Sequence, residues 1–442
     1  MKAIKNAWQT ICNVFSIPEL RKKILFTIFI VLVYRFGAQI PVPYINADTL
    51  ESVFTAYSGT VFQYLNILSG SAFSRATLLA LSISPYITSS IVMQLLCVAI
   101  PALENMSKEE DGKRKIQTIT RFVTVGLGIL TAIGYYVYLK QQNLIVFPEG
   151  MPKWFGAIVV IACYSAGAAI VMWLGEKINE SGIGNGISII LFANIVASGP
   201  SIVQSLWSLF TDWGWNTALA VVGLILGIAM IAFMVFVSES ERRLPVQYAK
   251  RVVGRKMYGG QSTNLPLKLN MAGVMPIIFA NSIVAIPATI GTMLGKTTES
   301  KGFWGGFLRL FNMNSFLYLA IYIILLFAFA YFYIAISFNP IEVANNLKKN
   351  GGFVPGIRPG KPTAEYITKI LNRVTFIGAA FLVIISGLPM LINCIASACK
   401  FNGLSAIAFG GSSLLIVVGV ALETARDIEA QMTMRHFKGF LE

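Results

Sequence analysis

Residues 63–100 read QYLNILSGSAFSRATLLALSISPYITSSIVMQLLCVAI, a membrane span begun, broken off and begun again. The first half sets a short apolar run among Asn66, Ser69, Gly70, Ser71, Ser74 and the charged Arg75. The second half is apolar enough to cross a bilayer but carries Ser82, Ser84, Pro85, Ser89, Ser90 and Gln94. Irregular backbone survives at membrane depth only where protein or water, not lipid, satisfies its polar groups. The segment is therefore expected to line an interior cavity or pathway.

The rest of the chain supplies the membrane setting. Of 442 residues, 55% are hydrophobic and 12% charged, whereas soluble domains carry roughly 25% charged residues. Apolar runs of about 20 residues mark helical spans. Ten are predicted, at 24–40, 76–100, 116–139, 154–175, 183–199, 216–237, 271–294, 316–338, 370–393 and 403–422. The second, interrupted by Pro85, and the fifth, short and opened by Gly182-Ile-Gly-Asn-Gly186, are the weakest. The expected class is an all-α integral membrane protein.

The charge is unevenly placed. Both termini and the loops after spans two, four, six and eight fall on one side of the membrane. Only Arg35, Arg75, Lys140, Lys153, Lys296, Lys301, Arg309 and Lys400 fall on the other, leaving 27 of the 35 Lys and Arg on the first. The positive-inside bias then puts both termini in the cytoplasm, and a basic face beside a membrane attracts anionic phospholipids. Residues 1–20 lack a cleavable signal peptide, and residues 3–16 suit a short amphipathic helix on the cytoplasmic surface. Cys12, Cys97, Cys163, Cys394 and Cys399 have no metal-like spacing and read as small buried side chains.

Ten spans divide after the fifth, so the two halves have inverted topology, with the functional pathway expected at their interface. The expected segments are an N-terminal piece 1–23, a first half 24–199, an external connection 200–215, a second half 216–422 and a cytoplasmic tail 423–442. Two cytoplasmic loops are long. Residues 238–270 contain ERRLPVQYAKR, and 339–369 contain NPIEVANNLKKNGGFVPGIRPGKPT. Asn339-Pro340 predicts the start of a short helix, because proline suits the first turn. Gly351-Gly352 end it, and the later Pro and Gly residues shape a protruding turn.

Several chemistries are excluded. GIRPGKPT superficially resembles a phosphate loop, but Pro355 stands where the first glycine belongs, and Pro362 where the Mg²⁺-binding hydroxyl belongs. GIGNG lacks the preceding strand of a nucleotide fold and reads as close helix packing. His436 is the single histidine, which removes multi-histidine metal sites and Ser-His-Asp catalysis. The predicted span interiors hold no Asp or Glu, so proton coupling through intramembrane carboxylates is disfavoured. Gln94, Ser188, Asn194 and Asn281 are the polar groups left inside, expected in hydrogen bonds between helices.

The runs ILSGSAFSRATLLALSISPYITSSIVMQLL, GIGNGISII, ERRLPVQYAKR, MAGVMPIIFANSI and NPIEVANNLKKNGGFVPGIRPG fall in order along nearly the whole chain. Together they resemble the SecY family, the channel subunit of the bacterial Sec protein translocase. That resemblance implies two inverted five-helix halves around a central hourglass pore in the cytoplasmic membrane. It would pass unfolded secretory polypeptides outward and release hydrophobic segments sideways into lipid. It implies a plug at Leu65, Asn66, Ile67, Leu68, Ser69, Gly70, Ser71, Ala72 and Phe73, within 65–75. It also implies an apolar ring of Ile83, Ile87, Ile187, Leu191, Ile278 and Ile416, Leu191 standing where isoleucine is usual. A narrow apolar constriction dewets and resists ions. The lateral gate would lie between the second and seventh spans, with Gln94 and Asn281 as polar contacts.

The implied partners are SecE and SecG, the SecA motor, the ribosome, secretory and membrane-protein nascent chains and anionic phospholipids, with no cofactor. Arg242, Arg243, Lys250, Arg251, Arg358 and Lys361 are the expected cytoplasmic docking residues, the Arg fork suiting bidentate contact to carboxylate or phosphate. The alternative reading is an inverted-repeat secondary transporter of a small solute. An enzyme is not expected.

Overall fold

The computed structural model describes residues 14–47, 49–50, 66, 69–148, 150, 152–200, 203–204, 207, 215–248, 251–253, 256–258, 262–293, 305–306, 308, 315–399 and 411–438. The helices and strands run in the order α1 Pro18–Gly37, α2 Ser84–Ala99, α3 Pro101–Lys108, α4 Glu110–Gln141, α5 Lys153–Ser181, α6 Gly186–Ala197 and α7 Trp215–Glu239. Then come β1 Glu241–Tyr248, β2 Arg251–Val253, β3 Lys256–Tyr258, β4 Ser262–Lys268, α8 Met275–Met293 and α9 Phe316–Ser337. The series closes with α10 Pro340–Lys349, β5 Gly352–Phe353, α11 Lys361–Cys399 and α12 Gly411–Lys438.

Each of the ten predicted apolar runs carries a helix. Among the described residues, five helices, α4, α5, α7, α9 and α11, are long and apolar enough to cross a membrane, and α2 with α3, bent by 105°, makes a sixth candidate. Helices α6 and α8 hold shorter apolar stretches, while α1 and α12 place charged residues within their turns.

The second predicted span needs a correction. Its helix begins at Ser84 rather than at residue 76, so Pro85 occupies the first turn instead of interrupting it. A proline there costs nothing, because its missing N–H has no intrahelical partner in any case. Pro101 breaks the other end and starts α3. Between Ser69 and Ile83 the chain runs in consecutive turns.

The chain forms two compact units, one of Met1–Thr217, Asn281–Tyr318 and Gly419–Glu442, the other of Ala218–Ala280 and Leu319–Val418. In the first, α4 and α5 pack around a core that includes Phe73, Tyr135, Leu139, Val160 and Tyr164. The Phe73 and Tyr135 rings stack at 4.4 Å, and Tyr164 meets Tyr135 edge-on at 5.1 Å. Small residues let the backbones close up, as is usual between membrane helices. Added methyls would overlap the Leu78 carbonyl oxygen at Gly167 and the Gly175 carbonyl oxygen at Gly186.

The second unit adds a small sheet to its helices. Strands β4, β1 and β5 form an antiparallel sheet in that order, with Leu244 opposite Leu265 and Gln247 opposite Phe353. The sequence ERRLPVQY alternates, and alternation puts every second side chain on one face. Leu244 and Val246 are buried, while Arg243, Pro245 and Gln247 are exposed. Leu244 and Leu267 share a core with Ile367, Ile370, Leu371 and Val374 of α11, with Val343 and Leu347 of α10 packed against it. Helix α10 starts as Asn339-Pro340 predicts: Asn339 Oδ1 accepts from Ile341 N at 3.2 Å and Glu342 N at 3.4 Å.

Candidate functional site

Of the plug residues, Leu65, Ile67 and Leu68 lie outside the described residues. The remainder show how serine and asparagine hold a non-helical segment together. Asn66 O accepts from Ser71 N at 2.9 Å, and Asn66 Oδ1 from Ser74 N at 3.0 Å. Ser69 Oγ accepts from Phe73 N, and Thr77 Oγ1 donates to Ala72 O. These local bonds compete with a helical ladder and win. Gly70, Ser71, Ala76 and Ser82 all take positive φ. Ser69, Ala72, Phe73 and Ser74 are buried, and Tyr135 Oη donates to Phe73 O at 2.7 Å. The segment is thus satisfied by protein.

The underside of this segment meets a polar cluster. Asn194 of α6 donates to Tyr34 Oη at 2.8 Å and to Ser82 Oγ at 3.2 Å, and accepts from Arg35 at 3.3 Å. Tyr34, Ser82 and Asn194 are each at most 2% exposed. Asn194 therefore makes the interhelical bonds expected of it. Ser188 does not: its buried Oγ has no partner among the described residues.

Four ring candidates lie in the first unit and two in the second. Ile83 is the residue before α2, and Ile87 is one turn into it, both buried. Ile187 is half-buried and Leu191 buried on α6, whose start is fixed by Asn185 Oδ1 accepting from Ile187 N. Ile83 and Ile190 both approach Gly175 of α5, so α2 and α6 converge on one glycine. Ile278 and Ile416 are buried in the second unit.

The gate candidates are placed less tightly. Gln94 donates to Ser90 Oγ of its own helix at 3.2 Å. Asn281 is buried on α8, and its Nδ2 has no hydrogen-bond partner among the described residues.

One buried ion pair escaped the sequence reading. Helix α5 continues past the predicted span end at 175, so Glu176 is a helical, buried carboxylate, bonded to Arg121 Nε of α4 at 2.8 Å. Beside it the Ser89 and Thr124 hydroxyls join α2 to α4. Only the short spacing of Glu176 from the predicted end could have flagged it.

On the cytoplasmic side, Arg358 and Lys361 are exposed on a tip shaped by Gly356 and Gly360, both with positive φ. Thr363 Oγ1 donates to Arg358 O at 2.8 Å, and buried Val354 anchors the near end. Arg242 and Arg243 lie on the exposed part of β1, Arg243 pairing with Glu241 at 2.7 Å. Arg251 falls on β2, and Lys250 lies outside the described residues.

The second span of this helical membrane protein is broken and folded into protein, ahead of a helix bearing buried isoleucines, and its relatives assign it to the class of membrane channels. The SecY family model matches residues 77–425. The protein translocase subunit SecY of Halalkalibacterium halodurans is 43% identical, over 98% of this chain and 100% of that protein. Among solved structures, one of a SecY channel describing its plug domain as stabilising the closed state has a TM-score of 0.63 at 18% identity, covering 96% of this chain and 97% of the other. Sec61 in a canine ribosome–channel complex has a TM-score of 0.59 at 16% identity, covering 96% and 97%. The chain belongs to the SecY family and is a protein-conducting channel subunit of the translocase, a multi-pass protein of the bacterial membrane. The solute-transporter alternative finds no support.

Proposed function

We propose that the unfolded polypeptide passes between the two five-helix halves, 24–199 and 216–422, through a ring of Ile83, Ile87, Ile187, Leu191, Ile278 and Ile416. The plug at Leu65–Phe73 stops this path at rest, and apolar segments leave sideways between α2 and α8 past Gln94 and Asn281. A weakly bonded polar seam suits that gate, because an apolar signal helix displaces it by offering lipid-compatible surface instead. Branched apolar side chains in the ring yield around a moving chain without holding it, and they resist ions by dewetting. The protein itself catalyses no reaction in this reading, so the energy comes from partners.

Those partners are SecE and SecG within the membrane, SecA or the ribosome on the cytoplasmic face, and anionic phospholipids beside the basic loops, with both termini cytoplasmic. The ribosome-bound Sec61 relative supports the ribosomal part. Arg358, exposed on its Gly-Pro tip, is the principal docking residue.

The observation that carries the reading is the turn segment Ser69–Ile83, largely buried and bonded to protein immediately before α2. Its test is to crosslink a stalled secretory chain to single cysteines placed at Ile87 and Ile278. Capture at both positions supports the path. Capture at neither, with uptake of a small solute by the reconstituted protein, refutes it.

A further inference from the structure

Gly70 sits against two side chains that belong to other helices. A methyl group there would lie 2.5 Å from an Arg35 guanidinium nitrogen, and 3.1 Å from both the Asn194 carbonyl and amide oxygens. With φ at +62°, only a residue without a Cβ fits this position cheaply. The same Asn194 amide holds Tyr34 at 2.8 Å and Ser82 at 3.2 Å, and Tyr34 and Ser82 also touch each other at 3.4 Å. Ser82 has φ of +51° and directly precedes Ile83 and α2. One amide therefore contacts the plug, α1, α6 and the strained residue at which α2 begins.

We propose that Asn194, Tyr34, Ser82 and Arg35 are positioning residues that form the seat of the plug and set how readily the resting channel opens. The inference rests on the plug reading above. Arg35 at the last turn of α1 is held there by the helix carbonyl end as well as by Asn194 Oδ1, so its guanidinium presents a fixed wall to Gly70. Moving Gly70 away forfeits its close packing against that guanidinium and Asn194 and opens a gap there. The closed state is favoured by the same amount. Because Ser82 shares the amide, loosening the seat also frees the residue preceding the pore wall.

The test uses the channel reconstituted with its partner subunits. Resting ion conductance is measured for Tyr34→Phe, Asn194→Leu, Gly70→Ala, the Gly70→Ala/Asn194→Leu double variant and a deletion of residues 66–73. Tyr34→Phe removes one hydroxyl at nearly constant volume, and losing one neutral hydrogen bond should raise the resting conductance about fivefold. Asn194→Leu and Gly70→Ala should raise it further. The double variant should be no leakier than its leakier parent, since both disturb one contact. In cells, export of a chain with a crippled signal sequence should rise relative to export of the normal chain, a ratio that general instability would not raise. Should Asn194→Leu fail to accumulate, Tyr34→Phe decides alone. If the deletion leaks and the point variants do not, the seat is overturned while the plug stands. If the deletion does not leak, the plug reading falls and the seat with it. Multiplying effects in the double variant also overturn the seat.

Discussion

Gly186→Ala should disturb the channel wall far more than one methyl group suggests. The added carbon would lie 2.8 Å from the carbonyl carbon of Gly175 and 3.0 Å from Ile178 Cβ, and closer still to the Gly175 oxygen. Carbon atoms rest at about 3.5–4.0 Å, so α5 and α6 must part by roughly 1 Å. Nothing at this contact can rotate aside, because the obstacle is backbone. Overpacking of this kind costs about 1–3 kcal/mol, and a backbone obstacle puts the expected value near the upper end, at about 2–3 kcal/mol. At about 2–4 °C per kcal/mol for a domain of about 200 residues, the melting midpoint should drop by about 4–12 °C. The displaced helix carries Ile187 and Leu191, so resting conductance should rise as well. The assay is heat-induced loss of the monodisperse peak of detergent-solubilised protein, run beside Gly126→Ala. Gly126 is on α4 with nothing within 4 Å of an added methyl, so that variant should melt with the parent. Equal midpoints for Gly186→Ala and Gly126→Ala would refute the argument that glycine contact sets the α5–α6 spacing.

Three further outcomes are expected. Glu176→Leu leaves Arg121 without its partner and should cost about 2–3 kcal/mol, below the roughly 3–5 kcal/mol of a fully buried pair, because Arg121 is 41% exposed. Adding Arg121→Leu should recover much of that loss in a double-variant cycle of melting midpoints. Leu244→Asp puts an unpaired charge into the core under β1 and should cost more than about 3 kcal/mol; limited proteolysis should then cut within 241–268 while α4 and α5 stay protected. Arg358→Glu reverses an exposed charge, so the fold should hold within about 0.5 kcal/mol while export stops. Normal secretion by that variant would remove Arg358 from the docking surface.

What the amino-acid sequence made legible follows from the range over which each signal acts. Apolar runs report burial residue by residue, so every predicted run carries a helix. The Asn339-Pro340 start and the glycine density of GIGNG are likewise local, and each appears as read. Pro85 was misread for a related reason: a proline marks a helix boundary, but hydropathy alone does not say on which side the helix lies. The β1 strand was legible in the alternation of ERRLPVQY, though its charge drew attention first. Which polar groups pair across helices was not legible. Arg121 and Glu176 are 55 residues apart and Arg35 and Asn194 are 159 apart, and periodicity says nothing about which two helices meet.

That limit bears on the broken span itself. Composition shows that residues 63–100 cannot be one lipid-exposed helix, and it stops there. Whether such a segment is a loop, a lining or a stopper depends on what receives its polar groups. Here the Ser and Asn side chains close turns on themselves, Tyr135 donates to the Phe73 carbonyl, and Gly70 packs against Arg35 and Asn194. A permanent lining would gain from bulky side chains filling that contact. A part that must leave and return gains from a residue that fits without interlocking, held by a few hydrogen bonds worth about 1 kcal/mol each. Such bonds are strong enough together to favour closure and weak enough singly to break in sequence, which is the energetic condition for a plug that a passing chain can displace.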